Sequence, residues 1–114
     1  MDLRGHLDLL LLATLARIGP AHGYALITAL RERSDGAFDL PEGTVYPALH
    51  RLERSGAVTS RWDTEASRRR RVYALTSEGK AALATKRQQW RSFAAGMQAV
   101  VGRAGAEGLA QWAI

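Results

Sequence analysis

At 114 residues the chain has room for one domain, and a hydrophobic fraction of 46% supplies one modest core. It contains no cysteine, which excludes disulfides, thiolate metal sites and cysteine nucleophiles and is compatible with a cytoplasmic protein. The net charge of +5 and the pI near 10.4 are unevenly distributed: residues 1–56 sum to −1, residues 57–75 to +3 and residues 76–114 to +3. Such a concentration of cations suits a polyanionic partner, nucleic acid or an anionic membrane surface.

Leu7 to Ile18 carries a leucine-rich face too long for an ordinary strand, and Gly19-Pro20 stops it, so a first helix is predicted there. Its apolar run, Leu9 to Ala16 broken by Thr14 and flanked by Asp8 and Arg17, is too short to span a bilayer. No basic, apolar, small-residue series marks a signal peptide. Ala21 to Ser34, with Leu26, Ile27 and Leu30 on one face, predicts a second helix closed by Ser34-Asp35-Gly36.

Asp39-Leu40-Pro41-Glu42 offers a helix start with Asp39 as N-cap, so a third helix is expected from about Pro41 to Ser55, stopped by Gly56. Val45, Ala48, Leu49 and Leu52 form its buried stripe; Gly43, Thr44, Pro47, Arg51 and Arg54 lie opposite. Pro47 leaves the Gly43 carbonyl without its partner, which predicts a bend or a start as late as Thr44. In either case Thr44 and Tyr46 sit near the N-terminal end, where free N–H groups favour an anion.

Ala57 to Trp62 and Arg71 to Leu75 alternate as strands of a hairpin whose tip falls at about Asp63 to Arg68. Four consecutive arginines, Arg68 to Arg71, run into the second strand. Strand alternation turns Arg69 and Arg71 one way and Arg70 the other. Thr76 caps a last helix from Ser77 to about Arg103, in which Leu83, Trp90, Met97 and Ala104 recur every seven residues and Phe93 and Val100 fill the offset positions. Gly102, Gly105 and Gly108 weaken helix formation beyond it, and the tail at residues 105–114 has no assignment.

The expected fold is mainly α with a small β-hairpin: a winged helix-turn-helix over residues 1–75 and a long C-terminal helix over 76–104 suited to dimerisation. In that arrangement the third helix enters the major groove and the wing reaches phosphates or the minor groove. His6, His22 and His50 stand on separate elements without i,i+3 or i,i+4 partners, so no metal site is expected. No nucleophile elbow, phosphate loop or carboxylate pair is present, and neither catalysis nor a cofactor is expected.

Three blocks in this order and spacing, His22-Gly23-Tyr24, Gly43-Thr44-Val45-Tyr46-Pro47-Ala48-Leu49-His50-Arg51-Leu52-Glu53 and Arg68 to Gly79 with Val72-Tyr73-Ala74-Leu75-Thr76, closely resemble the PadR family of bacterial transcriptional regulators. The likeness runs from about Arg4 to Leu83. It implies a homodimeric repressor on a palindromic operator in double-stranded DNA, relieved by a small-molecule effector, in the branch with a single C-terminal helix.

The positions matching the recognition segment are Thr44, Tyr46 and Pro47, with His50 and Arg51 beyond; His22 and Tyr24 match the opening of the second helix, and Arg68, Arg69, Arg70 and Arg71 the wing. Tyr46 is either a DNA contact or a core aromatic with its hydroxyl at the surface. Leu83, Trp90, Phe93, Met97 and Val100 are candidates for a dimer seam. Within it, Trp90, Phe93 and Met97 either pack or line an aromatic pore for a planar aromatic or phenolic effector, as in some members of that branch. The competing reading is a winged-helix module whose arginines meet an acidic protein.

Overall fold

The computed structural model describes residues 6–64 and 69–102. Arg68, Arg103, Ala104 and the tail lie outside the described residues. The element order is α1 (Leu7–Ile18), β1 (Ala21–His22), α2 (Gly23–Arg33), α3 (Glu42–Arg54), β2 (Val58–Asp63), β3 (Arg70–Leu75) and α4 (Ser77–Val101). The chain divides into two compact units between Ala84 and Thr85, so the first turns of α4 belong with the winged helix.

One core organises the first unit. Leu11, Leu12 and Leu15 of α1 meet Leu26, Ile27 and Leu30 of α2 and Val45, Ala48, Leu49 and Leu52 of α3, and Tyr73 of β3 closes the cluster at 1% exposure. The stripe expected on α3 is therefore the buried one. It leaves Glu42, Gly43, Pro47, His50, Arg51 and Arg54 exposed on the opposite face.

The predicted hairpin is the larger part of a three-stranded antiparallel sheet in the order β1-β3-β2. Ala21 and His22 form β1 rather than the first residues of a helix: they pair with Tyr73 and Val72. Two residues carry too little periodicity to reveal a strand, and only the fold brings β3 alongside them. Pairing of β2 with β3 sets Asp63 opposite Arg70, Trp62 opposite Arg71 and Ser60 opposite Tyr73.

Helix ends follow the sequence with one correction. Gly19 (φ 80°) and Gly56 (φ 86°) close α1 and α3 in conformations that disfavour a Cβ. Past α2 the chain turns through Asp35 (φ 51°) and Gly36 (φ 82°), with the Gly36 N–H donating to the Arg31 carbonyl at 2.8 Å. The N-cap of α3 is Pro41, in an extended conformation with no side-chain bond, and not Asp39. Leu40 is buried and is followed by the fixed φ of Pro41, which carries the extended chain two residues past Asp39 before the helix begins. Asp39 instead faces Arg31 at 3.9 Å. Pro47 is accommodated inside a helix that begins at Glu42; Gly43, whose carbonyl loses its partner, is exposed to water.

Thr76 caps α4 as expected: its Oγ1 accepts from the Gly79 N–H at 3.0 Å and donates to the Gly56 carbonyl at 2.5 Å. Gly79 lets α4 approach the connection between α3 and β2, since a β-carbon there would collide with the Ala57 carbonyl. Leu83 corrects the expected dimer seam. It is buried at 5% exposure in the core of its own chain, so the exposed apolar stripe of α4 begins at Trp90. In the second unit the Trp90 and Phe93 rings lie 5.9 Å apart and tilted by 34°, while Met97 is half exposed and Val100 and Val101 are largely exposed.

Candidate nucleic-acid interface

A cleft of about 300 Å³ opens where α2, α3 and the sheet meet. His22 and Tyr24 contribute from the start of α2, Tyr46 and His50 from α3, Trp62 from β2, and Arg69, Arg70, Arg71 and Tyr73 from the wing and β3. Seven of the residues singled out from three separate stretches of sequence thus share one concave surface. His22 and His50, 28 positions apart, line the same cleft, although their spacing gave no hint of it.

His22 holds two roles at once. Its backbone pairs with β3, and its Nδ1 accepts from the Ala25 N–H at 3.3 Å, capping α2. An accepting Nδ1 is unprotonated, so the neutral ring carries its proton on Nε2 as a donor. Burial, and next the neighbouring Arg70 charge, hold its pKa below the ordinary 6.5, with Asp63 opposing them.

Tyr46 is an aromatic at the edge of the core. Its ring packs against the core and lies over Gly23, where an added β-carbon would stand 2.6 Å from ring carbons. It also lines the cleft. Gly23 is therefore required by the close approach of α3, which explains the glycine between His22 and Tyr24. Tyr24 is 60% exposed, free to meet a partner.

The arginines differ in their engagements. Arg71 donates from Nε to Ser60 Oγ at 3.0 Å and lies 3.9 Å from the Glu53 carboxylate, which itself accepts from Ser60 Oγ at 2.6 Å. The guanidinium groups of Arg69 and Arg71 stand 4.7 and 4.9 Å from the centre of the Trp62 ring, within cation–π range. Arg69 and Arg71 thus meet the same ring, as alternation requires, while Arg70 lies near enough to His22 to depress its pKa. Arg51 of α3 donates to Asp8 of α1 at 2.6 Å, so its charge is engaged within the fold. Thr44 and Pro47 are on the same helix but outside the cleft.

Sequence reasoning missed Trp62 as part of this surface, and Ser60 and Glu53 as the partners that hold Arg71 beside it. The register was the available signal: a hairpin pairing Asp63 with Arg70 sets Trp62 against Arg71. Among the described residues no three His, Asp or Glu side chains converge as a metal site requires, and no helix is long and apolar enough to cross a membrane.

Three helices, a sheet with a basic wing and a recognition-type helix beside that wing define a DNA-binding winged helix. The profile of the PadR-like family of transcriptional regulators matches residues 11–85, and the chain belongs to that family. It is similar to the Mycobacterium tuberculosis transcriptional regulator Rv3488, 41% identical over 58 residues that make up 51% of this chain and 54% of that protein. A protein of unknown role from Lysinibacillus sphaericus is 29% identical over 89 residues, covering 77% of this chain and 81% of its own. Among solved structures, a PadR family regulator from Clostridium difficile superposes with TM-score 0.73 at 35% identity, covering 86% of this chain and all of that one. A transcriptional regulator from Clostridium thermocellum superposes with TM-score 0.76 at 27% identity, over 90% and 97% of the two chains.

Proposed function

We propose that the protein is a cytoplasmic, homodimeric transcriptional repressor that occupies a palindromic operator and is released by a small-molecule effector. The observation that carries the DNA reading is the convergence of Tyr24, Tyr46, His50, Arg69 and Arg70 on one basic, partly aromatic surface. Guanidinium and imidazole N–H groups suit phosphates, and the exposed face of α3 with Thr44, Pro47 and His50 suits base edges. Residues 1–75 form the DNA-binding part and residues 76–104 the dimerising helix in this reading.

The exposed apolar residues of α4, Phe93 at 47%, Met97 at 50% and Val100 at 81%, support a second copy of the helix as the partner of that face, with Trp90 in the seam. Two such faces would bring Trp90 and Phe93 of both protomers together, a soft aromatic lining for a planar aromatic or phenolic compound. The test is a gel-shift with the DNA upstream of the coding region, alone and with such compounds. Retarded DNA that a compound releases supports the full reading. Retardation insensitive to every compound removes the effector, and no retardation of that DNA at low salt, with capture by an acidic protein instead, removes the DNA reading.

A further inference from the structure

Trp62 is 46% exposed on β2, which leaves its ring open to neighbouring side chains. Two guanidinium groups lie over it: Arg69 at 4.7 Å and Arg71 at 4.9 Å from the ring centre. The two are not equivalent. Arg71 is held from a second direction by Ser60 Oγ and the Glu53 carboxylate, and its Nε is spent on that hydrogen bond. The Glu53 charge on α3 thereby balances Arg71, and α3 is linked to the wing through Arg71, Ser60 and Glu53. Arg69, exposed at the end of the wing, is held over the ring face.

We infer that Trp62 is a positioning residue for DNA binding: clasped against an internally balanced Arg71, its ring orders Arg69 as the wing's phosphate donor. The inference rests on the DNA-binding reading given above. A free arginine loses much rotamer freedom when a phosphate captures it, and a side chain already stacked on a ring loses less. A planar guanidinium can stack by its face and still point N–H groups outward at its edge. Stacking and phosphate binding are therefore compatible at Arg69. For Arg71 the edge is already engaged by Ser60, so its cation belongs to the fold.

The experiment is a fluorescence-anisotropy titration of the full chain against a random-sequence duplex over a range of salt, which needs no knowledge of the operator. Arg69→Ala is expected to lower the magnitude of the log K against log salt slope by about 0.9 per protomer, and Arg71→Gln to leave it unchanged. Trp62→Leu is expected to weaken binding by roughly two- to tenfold at constant slope, since the cation remains but is no longer ordered. Trp62→Phe, which keeps a ring face, restores most of the affinity. In an Arg69→Ala background Trp62→Leu has little further effect, a coupling that a merely structural tryptophan would not show. Arg69→Lys, which cannot unfold the sheet, keeps the slope and loses affinity. Equal losses from Trp62→Leu with and without Arg69, or a slope that falls on replacing Arg71, overturn the inference while DNA binding stands. A wild-type protein that fails to bind the duplex at low salt overturns both.

Discussion

His22 is asked to do incompatible things as pH falls. Capping α2 requires an unprotonated Nδ1, and burial and Arg70 favour the same neutral state. Above the ordinary value of 6.5 both folded and unfolded chains hold the ring neutral, and His22 adds no pH dependence. Below it the unfolded chain takes up a proton that the folded chain resists, so stability falls as pH drops from 6.5 toward the folded pKa. The unfolding midpoint of the wild type is expected to decline more steeply between about pH 7.5 and about pH 5.5 than that of His22→Asn, which keeps a capping acceptor and cannot titrate. Parallel declines would remove His22 from that role. Gly23, beside it, is a steric requirement. Gly23→Ala places a methyl group 2.6 Å from the Tyr46 ring and should destabilise the protein by about 1–3 kcal/mol in denaturant titrations or displace the ring from the cleft. An unchanged midpoint together with unchanged DNA affinity would contradict the packing described for Tyr46.

Among the elements, those with strong local signals were legible in the sequence. The leucine face of α1, the Val45-Ala48-Leu49-Leu52 stripe of α3 and the Gly56 stop depend on periodicity and backbone conformation, which neighbouring residues alone disclose. What the sequence withheld depends on partners distant in the chain. The strand at Ala21-His22 exists because β3 is there to pair with it, and the start of α3 is set by where Leu40 must be buried rather than by the capping propensity of Asp39. The joint between the hairpin and α4 belongs to the first group: Thr76 was legible as a cap, though its second bond, to the Gly56 carbonyl, was not. Thr76→Val should lower stability by about 1–2 kcal/mol with an unchanged denaturant slope. A loss no greater than that of an exposed surface substitution would show that the cap is dispensable.

The candidate site shows the same division. That the start of α2, the face of α3 and the arginine run share one surface was legible only through the expected winged-helix arrangement, and the cleft brings seven of those residues together. Arg51 was not legible as an internal partner, because Asp8 lies 43 positions away. Nor was the tie from Arg71 through Ser60 to Glu53, which links the wing to α3.

At the scale of the whole molecule, an exposed stripe and a net charge of +5 set the expected behaviour. Leaving Phe93, Met97 and Val100 in water forfeits roughly 1.5–3 kcal/mol for each large side chain that a partner could bury. Sedimentation at micromolar concentration is expected to report a dimer, and Met97→Glu with Val100→Glu to shift it toward monomer. A wild-type monomer would take away the palindromic operator and the aromatic seam together.

The claim on which the rest depends is that the winged unit grips DNA by its cationic wing and α3. The most direct measurement is the affinity of the full chain for the duplex upstream of its coding region, compared with random duplex, as a function of salt. The expected result is tighter binding to the upstream duplex, with log K falling linearly against log salt at a slope of about −0.9 for each phosphate contact in the dimer. Binding indifferent to salt, or no binding to either duplex at low salt, would contradict it; equal affinity for both would place the operator elsewhere.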